Sequence, residues 1–173
     1  GSSTCSQGCP VGSYVDQTSG CQPCAVGSYS SSVNSAACTP CASGHFSASL
    51  GQSSCAACPM GRYQNLEGST SCVVCVPGHF ANEVGAVACA ACPMGRYRNL
   101  AGSTSCVSCV PGHFANEVGA VACDECPADT FSAVSGSDGC MTCIGAAPGS
   151  STCSQGCPVG SYVDQTSGCQ PCA

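Results

Sequence analysis

The stretch CPMGRYQNLEGSTSCVVC, residues 58–75, decides the fold. Three residues after Cys58 comes Gly61, which takes positive φ without strain, and Pro59 ahead of it presets a tight turn. Tyr63 follows on what reads as a short extended piece. Residues 64–71 are then small or polar apart from Leu66, and Cys72-Val-Val-Cys75 closes the stretch. No apolar periodicity of 3.6 survives between the cysteines. The pattern predicts short β-hairpin-like pieces and turns, with almost no helix.

The same pattern runs the length of the chain. C-x-x-C pairs begin at Cys21, Cys38, Cys55, Cys72, Cys89, Cys106, Cys123 and Cys140, a period of 17. A 34-residue super-repeat overlies it. Residues 57–90 and 91–124 differ only at Gln64/Arg98, Glu67/Ala101, Val74/Ser108 and Ala90/Asp124. The longest period is 148, because residues 1–25 recur unchanged as 149–173. We read 1–148 as one unit of about nine cysteine-rich modules and 149–173 as the start of the next, a window on a longer array. Every aromatic residue occupies one slot of the module: Tyr14, Tyr29, Phe46, Tyr63, Phe80, Tyr97, Phe114, Phe131 and Tyr162. One ring per module is expected to cover a disulfide and touch the next module, as a miniature core.

Composition sets the stabilising force. The chain has 22 cysteines in 173 residues, and its only Leu, Ile and Met residues are Leu50, Leu66, Leu100, Ile144, Met60, Met94 and Met141. So few large aliphatic side chains cannot build one apolar core, and covalent links must replace it. Cystine persists only in an oxidising compartment, which predicts an extracellular or cell-surface location. Net charge is −6 with three basic residues, Arg62, Arg96 and Arg98. That composition disfavours nucleic acid and anionic membrane surfaces. No apolar run in this stretch is long enough to span a bilayer. Asn34, Asn65, Asn82, Asn99 and Asn116 all lack a sequon, whereas abundant Ser and Thr leave O-linked glycosylation open.

Cysteine order restricts the pairing without proving it. Joining the second Cys of each C-x-x-C to the first of the next gives Cys24–Cys38, Cys41–Cys55, Cys58–Cys72, Cys75–Cys89, Cys92–Cys106, Cys109–Cys123 and Cys126–Cys140. The variant segment adds Cys9–Cys21, Cys143–Cys153 and Cys157–Cys169. Cys5 and Cys172 are left at the two ends, as inter-unit links in a continuing array. An interlaced pairing, first with first and second with second, is the alternative. In the favoured scheme every link is local, so each module is expected to contact mainly its neighbours.

Other chemistries are weaker readings. The C-x-x-C spacing resembles a zinc ribbon only superficially, since the pairs run on without grouping into fours. His45, His79 and His113 recur every 34 residues, but each stands alone, in the slot where Arg62 and Arg96 precede Tyr in alternate modules. Glu67, Glu83, Glu117, Asp124, Glu125 and Asp129 are scattered and form no calcium loop. No catalytic constellation is legible, so no enzyme, cofactor or metal site is expected.

Repeated C-x-x-C-P-x-G-x-[YF] with small polar loops resembles the ephrin-receptor-like cysteine-rich repeat, and is similar to the first half of tumour-necrosis-factor-receptor modules. The resemblance implies a small disulfide-rich tandem repeat, extracellular and drawn out into an elongated rod. Two places depart from it. Asp129 replaces the usual Gly, and Cys143-Ile-Gly-Ala-Ala-Pro148 is short and lacks the ring, which predicts a joint where direction or register changes. The functional expectation is a self-associating structural protein of an extracellular filament or surface appendage. The alternative is a stalk or ligand-binding rod of a receptor or adhesin ectodomain.

Overall fold

A computed structural model describes residues 8–153, together with the backbone of 161–164 and 168–171. The repeating element is a two-stranded antiparallel hairpin. Its outgoing strand is the pair of residues after the C-x-x-G turn, and its return strand is the two central residues of the next C-x-x-C. Thus Arg62–Tyr63 pairs with Val73–Val74, and His45–Phe46 pairs with Ala56–Ala57. Among the described residues there are nine such hairpins and no helix. The chain is therefore a small disulfide-rich tandem repeat of hairpins and turns.

Seven of the hairpins have strands of two residues. Hairpins this short are not stable alone, so the cystine across each base and the packing of neighbouring modules must hold them. The four-residue pair Ser13–Asp16 with Gly20–Pro23 is the exception. It recurs in the same register as Ser161–Asp164 with Gly168–Pro171, in the repeated string.

The chain divides into two compact units, one of residues 1–75 and 81–89 and the other of 76–80 and 90–173. In the first unit a regular backbone lattice joins successive modules. Each turn glycine donates to the carbonyl after the next module's ring: Gly27 N to Ser47 O at 2.8 Å and Gly44 N to Gln64 O at 2.6 Å. The residue after the ring reaches on into the next loop, as in Ser47 N to Ser69 O at 3.1 Å. A loop glycine donates backwards, Gly68 N to Cys41 O at 2.7 Å. In the second unit Gly95 N to Ala115 O, Ala115 N to Ser137 O and Gly136 N to Cys109 O repeat the three bonds at 2.8, 3.1 and 2.8 Å.

Besides these bonds between neighbours, packing also reaches the module after next. A Cβ placed on Gly27 would fall inside 3.0 Å of Gly68 O, and one on Gly44 inside 3.0 Å of Gly85 O. The second unit repeats this with Gly78 over Gly119 and Gly95 over Gly136. The turn glycine is thus required twice, for its φ near +79° and for close backbone approach.

The deep interior consists mainly of half-cystines and small residues. Cys24, Cys41, Cys58, Cys75, Cys92, Cys109 and Cys126 are 0% exposed. Beside them lie the residues that follow the rings: Ser30, Ser47, Gln64, Ala81, Ala115 and Ser132 are all buried. The rings themselves are half-buried at Tyr29, Phe46, Tyr63, Phe80, Tyr97 and Phe114, and among the described residues only Phe131 is enclosed. The buried interior is therefore made mostly of cystine sulfur and the slot after each ring, with the rings at its margin except at Phe131.

At the segment expected to form a joint the lattice persists with a shorter offset. Asp129 N donates to Ala146 O at 2.9 Å and Ser132 N to Ser150 O at 3.1 Å. Asp129 holds φ at +64°, and its Oδ1 accepts the Gly145 N–H at 2.6 Å. The ring around this module is shorter, Cys143 to Cys153 spanning 10 residues where its neighbours span 14. The register shift absorbs that deletion.

Candidate functional site

Disulfides are the dominant chemistry. The structure joins Cys9 to Cys21, Cys24 to Cys38, Cys41 to Cys55, Cys58 to Cys72 and Cys75 to Cys89. It also joins Cys92 to Cys106, Cys109 to Cys123, Cys126 to Cys140 and Cys143 to Cys153. None of these links is interlaced. The pairings expected for Cys5, Cys157, Cys169 and Cys172 lie outside the residues whose side chains are described, as does the ring of Tyr162. Each half-cystine that opens a turn is buried, while its partner is more accessible at the loop end.

The histidines stay separate in chemistry. His45 and His79 each set Nδ1 near the carbonyl two residues back, at 3.3 Å from Ser43 O and 3.4 Å from Pro77 O. His113 Nδ1 is buried without a partner, and its Nε2 lies 4.0 Å from Glu125 Oε1. Glu125 is 67% exposed, so this contact is a screened surface pair of small energy. Among the described residues no group of three His, Cys, Asp or Glu side chains could hold a metal. Across the hairpins the histidines face Ala57, Ala91 and Glu125, whereas Arg62 and Arg96 face Val74 and Ser108.

The acids serve loop geometry. Asp16 Oδ1 accepts the Thr18 hydroxyl at 2.7 Å and the Thr18 N–H at 2.8 Å, capping the turn of the long hairpin. The Thr18 hydroxyl, then the backbone N–H groups of Thr18 and Ser19, hold the Asp16 carboxyl below the usual carboxylate range. Glu117 and Asp124 contribute to an open hollow of about 380 Å³ within the 115–124 loop, where Val118 and Val121 supply apolar surface. Its lining comes from a single loop, with no convergent donors or paired carboxylates.

What the modules display repeatedly is sparsely charged, partly apolar surface. In the first unit Val33, Leu50, Leu66 and Val84 each project from a loop, and in the second Leu100, Val118 and Val134 do so. They range from 59% exposed at Leu100 to 67% at Val84, and charged residues make up only 7% of the chain. A surface with so few charges lacks the usual guard against association.

Two features escaped the sequence reading. One is the buried slot after the ring. The other is a second glycine seven residues past the turn glycine, as in Gly44 and Gly51 or Gly61 and Gly68. It holds φ of +70° at Gly51, and Asn34 takes the same place at +56°. The constant spacing of seven was a legible signal for the second feature.

Among the described residues no helix is long and apolar enough to cross a membrane. No curated protein matches the chain. The sequence profile described as tyrosine-protein kinase ephrin type A/B receptor-like matches six overlapping stretches: residues 12–51, 27–71, 44–88, 61–105, 78–122 and 95–143. Successive matches start 15 to 17 residues apart, which is the spacing of the cystine-closed modules. With its regular disulfides and tiling matches, the chain belongs to the ephrin type A/B receptor-like family of cysteine-rich repeats.

Proposed function

We propose that this chain is a stretch of a structural protein, a tandem array that self-associates into an extracellular filament or surface appendage. The carrying observation is the lattice. The same three backbone bonds recur from module to module, so an array can be extended without a new design at each step. The 148-residue recurrence extends the same logic to a larger unit, with 1–148 as one repeat and 149–173 opening the next. Exposed loop aliphatics in the seven modules from Cys24 to Cys140 supply lateral surface for further copies. The reading is non-enzymatic, and it places the protein outside the cell or on its surface, where cystines persist. Exposed serines such as Ser31, Ser32, Ser53 and Ser54 are suited to O-linked glycans.

Electron microscopy of the native, unreduced protein tests this. Filaments whose axial period reports the repeat are expected. Uniform single particles at every concentration would overturn the filament. The family match supports a second reading, a stalk or ligand-binding rod of a receptor or adhesin ectodomain. That reading requires a membrane anchor and a non-repeat recognition domain in the same gene, which sequencing of the full locus decides.

A further inference from the structure

The 34-residue super-repeat places two nearly identical loops in the chain, QNLEGSTS at 64–71 and RNLAGSTS at 98–105. Two of the four differences between the super-repeats fall here, and they reverse the charge. Glu67 gives the first loop −1, and Arg98 gives the second +1. The backbone is otherwise equivalent: Gln64 N donates to Ala86 O and Arg98 N to Ala120 O, both at 3.0 Å.

The two slots are filled differently. Gln64 satisfies itself within its own loop, donating Nε2 to Ser71 O at 2.8 Å and accepting the Leu66 N–H on Oε1 at 3.1 Å. Arg98 uses one of its five donors, Nε to Ser103 Oγ at 2.7 Å. That hydroxyl is itself anchored on Leu100 O at 2.6 Å. Among the described residues nothing accepts from the two η nitrogens of Arg98. Arg62, by contrast, donates Nη1 to Cys72 O at 3.3 Å. An Arg fixed at Nε, with its η fork unused, is preset for a carboxylate.

We propose that Arg98 receives Glu67 of a second copy of this chain; the inference rests on the self-association proposed above. Charge complementarity selects the partner. Each copy carries a net charge of −6 and only three cations, so electrostatic attraction between copies must pass through those arginines. Glu67 is exposed and lies on the loop that is the twin of the one bearing Arg98. Glu67 of one copy meets Arg98 of another, so each copy carries both halves of the contact. Leu66, 64% exposed, and Leu100, 59% exposed, stand beside the two charges and supply apolar area at each contact.

The test is sedimentation of the full disulfide-intact chain at low salt, comparing wild type with R98Q, R98E, E67R and the double variant E67R/R98E. R98Q installs the residue already accommodated at position 64, so its fold is safe. R98Q is expected to weaken association severalfold, and R98E and E67R each by about tenfold or more. The double swap is expected to restore it to within about threefold. Association unchanged in R98Q and R98E, or a double swap no better than the singles, overturns this contact and leaves the filament reading intact. Loss in R98E with none in E67R means that Arg98 meets some other anion, which also overturns it. Wild type that stays monomeric at every concentration overturns the self-association reading itself.

Discussion

Replacing Gly27 by Ala tests whether the contact to the module after next is tight. Gly20 is the matched control in the same unit. The two glycines have nearly equal φ, +79° and +81°, but a Cβ on Gly20 meets nothing within 4 Å, whereas one on Gly27 runs into the backbone of Gly68. A left-handed backbone costs Ala about 1–2 kcal/mol. Reduced freedom of the unfolded chain returns roughly 0.4–1 kcal/mol of that. Gly20→Ala should therefore cost about 1 kcal/mol. Gly27→Ala adds an overlap with backbone that no rotamer can relieve, typically about 1–3 kcal/mol. The shift it forces strains two hydrogen bonds, Gly27 N to Ser47 O and Cys41 N to Gly27 O, each 2.8 Å in the native lattice. The expected gap between the variants is about 2–3 kcal/mol, with the conformational cost cancelled by the control. Because tandem repeats open locally, a global melting point is the wrong readout. Native-state hydrogen exchange at the Gly27 and Cys41 amides, on the oxidised protein, reports the local opening energy. Equal effects within about 0.5 kcal/mol in the two variants would refute the tight contact.

Removing a cystine with C58S/C72S should lower local opening energy around Arg62–Tyr63 and Val73–Val74 by about 3 kcal/mol, the chain-entropy value for a ring of this size. Exchange at Cys126 N should not change, and a collapse of protection across the whole chain would contradict modular stability. Asp16 should stabilise the long hairpin in its ionised form. Its folded pKa is lowered, so that contribution is present above about pH 4 and lost as pH falls through the folded value. D16N should flatten this acid dependence, as followed by chemical shifts of residues 13–23, and an unchanged pH profile would remove Asp16 from its cause. Asp129→Ala loses the bond to Gly145 N while retaining a Cβ at positive φ, and should cost about 1–2 kcal/mol. Asp129→Gly exchanges that bond for relief of the backbone and should stay within about 1 kcal/mol of wild type, by denaturant-dependent exchange at Cys143 N. Equal losses in Ala and Gly would show that the φ angle is not what matters there.

The hairpin repeat was legible because its determinants are local. Cys58, Gly61, Tyr63 and Cys72 lie within one module, and their order alone dictates a turn, a short strand, a loop and a return. The family resemblance rests on the same residues. The buried slot after the ring was not legible. Ser47, Gln64 and Ala81 share no chemistry, and nothing in their immediate neighbours marks them as interior. They are buried because the next module's backbone closes over them. The rings were the natural candidates for a core by hydrophobicity, yet six of them are half-buried while the half-cystines that open the turns are fully enclosed. Asp129, which breaks the sequence pattern, leaves the lattice intact: the lattice uses its N–H and carbonyl, and its side chain supplies an extra bond to Gly145.

By itself the sequence determined the repeating turn and hairpin and narrowed the cystine frame to a local or an interlaced scheme, because cysteine spacing and turn glycines act over a few residues. The tertiary structure decided which backbone faces meet, that Gly27 lies over Gly68 as well as beside Ser47, and that half-cystines rather than rings fill the interior. Those outcomes depend on the distance between stacked backbones, a quantity set when successive modules bond to one another.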